Sequence, residues 1–228
     1  MIRGFRLAAL GAVLLSAYGC SYQTGFNSTY IPEEPAGHWS ADHVQIVMSE
    51  YDANYTSSSS PSSFTGGGTT LVIPMGQIVR EVTSEALRDR FSGEIGFANE
   101  MLADRYQIGI RPTVRKWDYK YNSLRNLGFA ITIEGELDLQ VEILDPSGEV
   151  IFENTYASGL RQGQSYFASF SPEEKVSALL HELIYEHVEQ ALDDARPAIT
   201  QELGLTALGD DAASAGWPGQ SDEEADEG

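Results

Sequence analysis

The sequence predicts an α+β fold. An antiparallel β-sheet carries two helices packed on one face, with a flexible tether before it and a disordered acidic tail after it. Three observations lead there. Residues 129–143 alternate strictly: Phe129, Ile131, Ile133, Leu137, Leu139, Val141 and Ile143 against Ala130, Thr132, Glu134, Glu136, Asp138, Gln140 and Glu142. Such a strand buries one face and wets the other, as in an antiparallel sheet covered on one side. Two stretches, ending near Phe91 and Ala195, place apolar residues at helical spacing. The turn Asp145-Pro146-Ser147-Gly148 ties the alternating strand to a hairpin partner, because Pro presets φ and Gly accepts φ > 0.

In chain order, His43 to Ser49 reads as a strand. Residues 53–70 are nearly all Ser, Thr, Gly, Pro and Asn, a composition too poor in apolar surface to order itself, so a flexible loop is expected. Thr70 to Pro74 is a short apolar strand that Gly76 breaks. A helix follows, with Val79, Val82 and Ala86 on one face. Residues 92–107 are ambiguous, with a short helix near Glu100 to Arg105 as one reading. Ile108 to Tyr121 reads as a strand, in which Pro112 suggests an edge or a bulge. Gly135, on the apolar face of the alternating strand, suggests a bend. Val150 to Tyr156 returns as the hairpin partner. Ser171-Pro172-Glu173-Glu174 is a capped helix start. From there Val176, Leu179, Leu180, Leu183, Ile184, Val188, Ala191 and Leu192 form a wide apolar stripe, and Pro197 limits the helix. One domain, 41–200, accounts for this order, with 201–228 as a disordered acidic tail.

Net charge is −20, and seven acids fall in the last 19 residues. That argues against nucleic-acid binding, which needs cations on phosphates. The chain has one cysteine, Cys20, so no disulfide forms within it.

Catalytic signatures are missing. No Ser sits in Gly-x-Ser-x-Gly, and Gly66-Gly67-Gly68 is followed by Thr rather than Lys. His181 to His187 (HELIYEH) imitates a zinc-protease helix, but Tyr185 stands where the second histidine belongs. His187 at i+6 lies on another face. No metal, cofactor or catalytic residue is expected, and the protein reads as a non-enzyme. Lys and Arg are absent from Cys20 to Ile78, then Arg105, Arg111, Arg115, Lys116, Lys120 and Arg125 cluster. Parity puts Arg111, Arg115, Trp117, Tyr119 and Tyr121 on one strand face. Exposed Arg with aromatics would form a protein hot spot or an anionic glycan or lipid strip.

Residues 1–19 carry Arg3 and Arg6, then the apolar run Leu7 to Ala17, then small residues up to Cys20. This is the pattern of a secretory signal, too short to span a bilayer. Ala17-Tyr18-Gly19-Cys20 resembles a bacterial lipobox, in which the thiol is acylated and becomes the N-terminus. It departs from that pattern at Tyr18, where a small residue is usual, and at Ala17, where Leu is commoner. By resemblance to the Gram-negative sorting rule, Ser21 implies the periplasmic face of the outer membrane. Residues 20–40, without periodicity, read as the tether, whose extended reach is ~60 Å. The element order together with Cys20 resembles small bacterial envelope lipoproteins, the YajG-type and the accessory lipoproteins of envelope assembly machines. The resemblance covers about residues 40–196. It implies a lipid-anchored, non-enzymatic adaptor with an envelope protein partner.

Overall fold

The computed structural model describes residues 20–24, 38–39, 41, 43–61, 69–122, 130–166, 173–205 and 207–208. The expected signal segment, the centre of the expected tether, residues 62–68, Arg125, the expected Ser171-Pro172 cap and the expected tail from 209 lie outside them. The alternating segment is β8 (Ile131–Leu144). It pairs antiparallel along its whole length with β7 (Ile108–Asn122). On its other side it pairs with β9 (Val150–Ala157) and then with β10 (Arg161–Tyr166). The hairpin between β8 and β9 closes as the sequence indicates: Gly148 takes φ 87° and donates its N–H to the Asp145 carbonyl at 2.9 Å.

At the other side of the sheet the pairing turns parallel. β3 (His43–Val47) lies parallel to β7 through Val44 to Ile46, and β6 (Glu94–Ala98) lies parallel to β3. The sheet is therefore antiparallel through its long strands and parallel at one edge. Parallel neighbours need a crossover, and the chain makes one between β3 and β6. It passes through the short helix α1 (Glu50–Ala53), β4 (Ser57–Ser59), β5 (Thr69–Ile73) and helix α2 (Met75–Arg90). Pro112 sits just past Ile110, where β3 leaves β7, so its missing N–H costs no ladder bond on that side.

One face of this sheet is covered. α2 turns Ile78, Val79, Val82 and Ala86 inward, and α3 (Glu173–Asp194) turns in Leu180, Leu183, Ile184, Val188 and Leu192. Against them stand Ile110, Tyr119, Ile133, Leu137, Leu139, Val141 and Ile143. Ala195 separates α3 from α4 (Arg196–Leu203), so Pro197 opens a second short helix, which Gly204 ends at φ 65°.

The two ends add short strands to this core, and further in three expectations are corrected. At the ends, β1 (Cys20–Gln23) lies parallel to β5, and β2 (His38–Trp39) lies antiparallel to β11 (Ala207–Leu208). Trp39 is buried and stacks on Phe91. The loop 53–70 contains β4, antiparallel to β5; its serines are held by backbone bonds that composition does not report. Residues 92–107 hold β6, with no helix at 100–105. Gly135 serves space, not a bend: a Cβ there would lie 2.8 Å from the Trp117 ring and 3.0 Å from Leu179.

Candidate functional site

The strip on β7 does not share one face. Val114 pairs with Leu139 and Lys116 with Asp138, so Arg115 is an extra residue, a β-bulge. A bulge shifts side-chain parity by one. Before it, Ile108 and Ile110 face the helices and Arg111 faces out. After it, Trp117, Tyr119 and Tyr121 face the helices. Tyr119 is 1% exposed, stacks on Trp117 with centroids 6.1 Å apart, and donates its hydroxyl hydrogen to the Ser59 carbonyl at 3.0 Å. The aromatics are core.

The cations are on the open face, engaged by β8. Arg111 meets Glu142 at 2.6 Å, Lys116 meets Glu136 at 2.8 Å and Lys120 meets Glu134 at 3.2 Å. The Arg115 Nε donates to Gln140 at 2.5 Å, and Gln140 donates to Glu142 and Glu153. The expected exposed Arg and aromatic strip is therefore not formed, and the glycan or lipid reading built on it falls.

The two histidines of α3 serve different neighbours. His181, fully buried, places Nε2 3.0 Å from Glu85 of α2. His187 lies against Tyr156 with centroids 6.0 Å apart, and the Tyr156 hydroxyl donates to Asp194. Among the described residues no three His, Cys, Asp or Glu side chains gather into a metal site. Burial pushes the His187 pKa below 6.5, against a backbone hydrogen bond at Leu137 and the charge of Asp138, which raise it. The folded state then binds this proton less readily than the unfolded chain, so its stability contribution is full above pH 6.5 and declines as pH falls below it. Replacing His187 with Gln is expected to flatten the pH dependence of urea unfolding between pH 7.5 and 5.5. One proton gives at most about 1.4 kcal/mol per pH unit. An unchanged slope would assign the acid sensitivity elsewhere.

An open cleft lies where β6 ends the sheet. It holds about 390 Å³ between α2 and the edge strand. Ile46, Ile95, Gly96 and Phe97 form its apolar wall, and Arg80, Glu81, Ser84, Glu85 and Arg88 its polar wall. Phe97 is 44% exposed, with the Arg80 guanidinium 5.1 Å from its ring centroid. Among the described residues no strand pairs with the outer edge of β6. Sequence reading missed this cleft. Its one signal is Arg80, Ser84 and Arg88 at i, i+4 and i+8, a second stripe beside the apolar one on α2.

No family model matches the chain, and no curated protein matches it. Among solved structures it is similar to a DUF330-family protein from Xanthomonas campestris. That pair has 12% identity and a TM-score of 0.49 over 80% of this chain and 97% of the other. It is similar to PelC from Paraburkholderia phytofirmans, crystallised as a dodecamer, at 14% identity and a TM-score of 0.38 over 71% and 91% of the two chains. It is also similar to a Caulobacter crescentus protein proposed to be a lipoprotein, at 13% identity and 0.29 over 57% and 83%. Likenesses this distant assign neither family nor function.

Proposed function

We propose that the protein is an outer-membrane lipoprotein, anchored at Cys20, whose periplasmic domain is a non-enzymatic adaptor for a protein partner in an envelope assembly or transport complex. The anchor reading rests on the signal pattern of residues 1–20, and the sorting reading on Ser21. The observation supporting partner binding is the edge strand β6 beside its cleft. An extended segment of a partner adds to such an edge through backbone hydrogen bonds, while its side chains enter the adjoining groove. Edge strands left open are normally blunted by charges or bulges. Here Glu94 is bound by Arg105 at 2.6 Å at one end of the strand, and Phe97 stands exposed at the other.

The test is in-cell photocrosslinking from position 97 of the full-length protein, with mass spectrometry of the adducts. A single envelope protein is expected, lost on Ile95→Lys. Adducts that are absent, or unchanged in the Ile95→Lys variant with the domain folded, would remove β6 as the binding edge.

A further inference from the structure

The geometry points to a lipid surface as the direct neighbour of one end of this domain, with β1 as a strand-locked stem in place of a free tether. The inference rests on Cys20 being the acylated residue. Cys20 pairs with Thr69, Ser21 with Thr70, Tyr22 with Leu71 and Gln23 with Val72. Neighbouring strands lie about 4.8 Å apart, so the anchor residue is already within the sheet. Thr24 completes the attachment: its N–H donates to the Val72 carbonyl at 3.0 Å, and its side chain is buried. The next strand residues, Leu71 and Ile73, belong to the core. No spacer separates the acyl position from the folded domain.

Strand pairing identifies which end this is. β1 and β5 begin there, and antiparallel β4 ends there, since Ser59 pairs with Leu71. The Tyr119 hydroxyl reaches Ser59, which brings the end of β7 to the same rim. Asn122 pairs with Thr132, and Tyr166 with Ile131, so β8 starts and β10 ends there as well.

The rim also has a charge. Residues 20–22, 59–61, 69–71, 120–122, 130–132 and 164–166 contain Lys120 and no Asp or Glu, in a chain with 34 acids. Glu134 is the ladder partner of Lys120 and is held by it and by Asn122, and α3 opens beside the rim with Glu173 and Glu174, its Lys175 donating to Gln164. The opposite end is more acidic: Glu94, Asp104, Asp145, Glu149 and Glu202 lie on the strands, turns and helix that meet there, with Arg105 bound to Glu94 among them. A bilayer bearing anionic lipid repels acids within a Debye length. This domain therefore meets it through the rim, where Lys120 and Lys175 stand among Glu134, Glu173 and Glu174, with its more acidic end pointing away.

The experiment uses the full-length acylated protein in vesicles of phosphatidylethanolamine and phosphatidylglycerol containing a headgroup quencher lipid. Single variants Ser60→Cys, at the rim, and Ser147→Cys, in the far turn, carry a fluorophore; both serines are exposed. The 14 residues of β8 place the two sites about 45 Å apart. Strong quenching at 60 and none at 147 is expected. A Gly/Ser insertion of about 16 residues between Cys20 and Ser21, roughly 20 Å as a coil, should abolish quenching at 60 while the protein stays bound. Vesicle-bound, acylated protein unquenched at both sites would overturn the locked stem and leave the anchor reading standing. Intact mass showing no acyl group at Cys20 would overturn both.

Discussion

Deletion of Arg115 is expected to abolish the folded domain, while Arg115→Ala leaves it nearly unchanged. The contrast isolates the backbone residue from its side chain. With Arg115 present, the pairing of β7 with β8 slips by one between Val114 and Lys116. Deleting it either breaks every pair from Lys116 to Asn122 or turns the aromatics outward. In the second case Trp117, Tyr119 and Tyr121 enter water, and Lys116, Asp118 and Lys120 face Leu179 and the core. Each large apolar side chain returned to water costs roughly 1.5–3 kcal/mol, and buried unpaired charges add more. Together these approach the whole stability of a typical domain, about 5–15 kcal/mol. Arg115→Ala removes only a hydrogen bond to Gln140, worth about 1 kcal/mol. Urea unfolding followed by near-ultraviolet circular dichroism distinguishes the outcomes. A deletion variant that melts cooperatively near the parent midpoint would show that the bulge does not hold the register.

The same bulge marks how far the sequence was legible. Alternation on β8 announced a strand with one wet face, because apolar or Gly and polar positions keep a period of two from Ile131 to Ile143. On β7 the period is interrupted, and parity counted across Arg115 assigned the aromatics to the wrong face. Ile108, Ile110, Val114, Trp117, Tyr119 and Tyr121 change parity at that point, so the slip was written in the apolar pattern. The helices α2 and α3 were readable from their stripes. β1, β2, β4, β10 and β11 were not, since they are short, polar and held by partners distant in sequence. The cleft at β6 was hidden for a related reason: five residues of alternation between Glu94 and Ala98 are too few to separate a strand from a loop.

Arg90→Ala is expected to cost about 3–5 kcal/mol, the range for breaking a buried ion pair from one side. Arg90 is 2% exposed at the end of α2. Its Nε donates to Glu189 at 2.7 Å, and its outer nitrogen lies 2.6 Å from Glu189 and 3.2 Å from Asp193, both on α3. With Glu85 against His181 and Asp89 accepting from the Tyr185 hydroxyl at 2.7 Å, this is the last rung of a polar ladder between the two helices. Burial lowers the Arg90 pKa, but Glu189 and Asp193 outweigh it, so the guanidinium is held charged. At Glu189 the balance is opposite: burial raises its carboxyl more than Arg90 lowers it. The geometry decides between these views. Two short charge-assisted contacts to a group that does not deprotonate keep the pair ionic. Without Arg90, Glu189 stays buried beside Asp193 and Asp89 with no cation, and its folded pKa rises further above its unfolded value. A raised carboxyl stabilises the fold at low pH and loses that contribution as pH rises through it. The deficit of Arg90→Ala should therefore grow from pH 4.5 to pH 7. The double variant Arg90→Met with Glu189→Leu, which leaves no buried charge at 189, should recover most of it. A single-variant loss below about 1 kcal/mol, the worth of an exposed pair, would show that the ladder contributes no more than a surface contact.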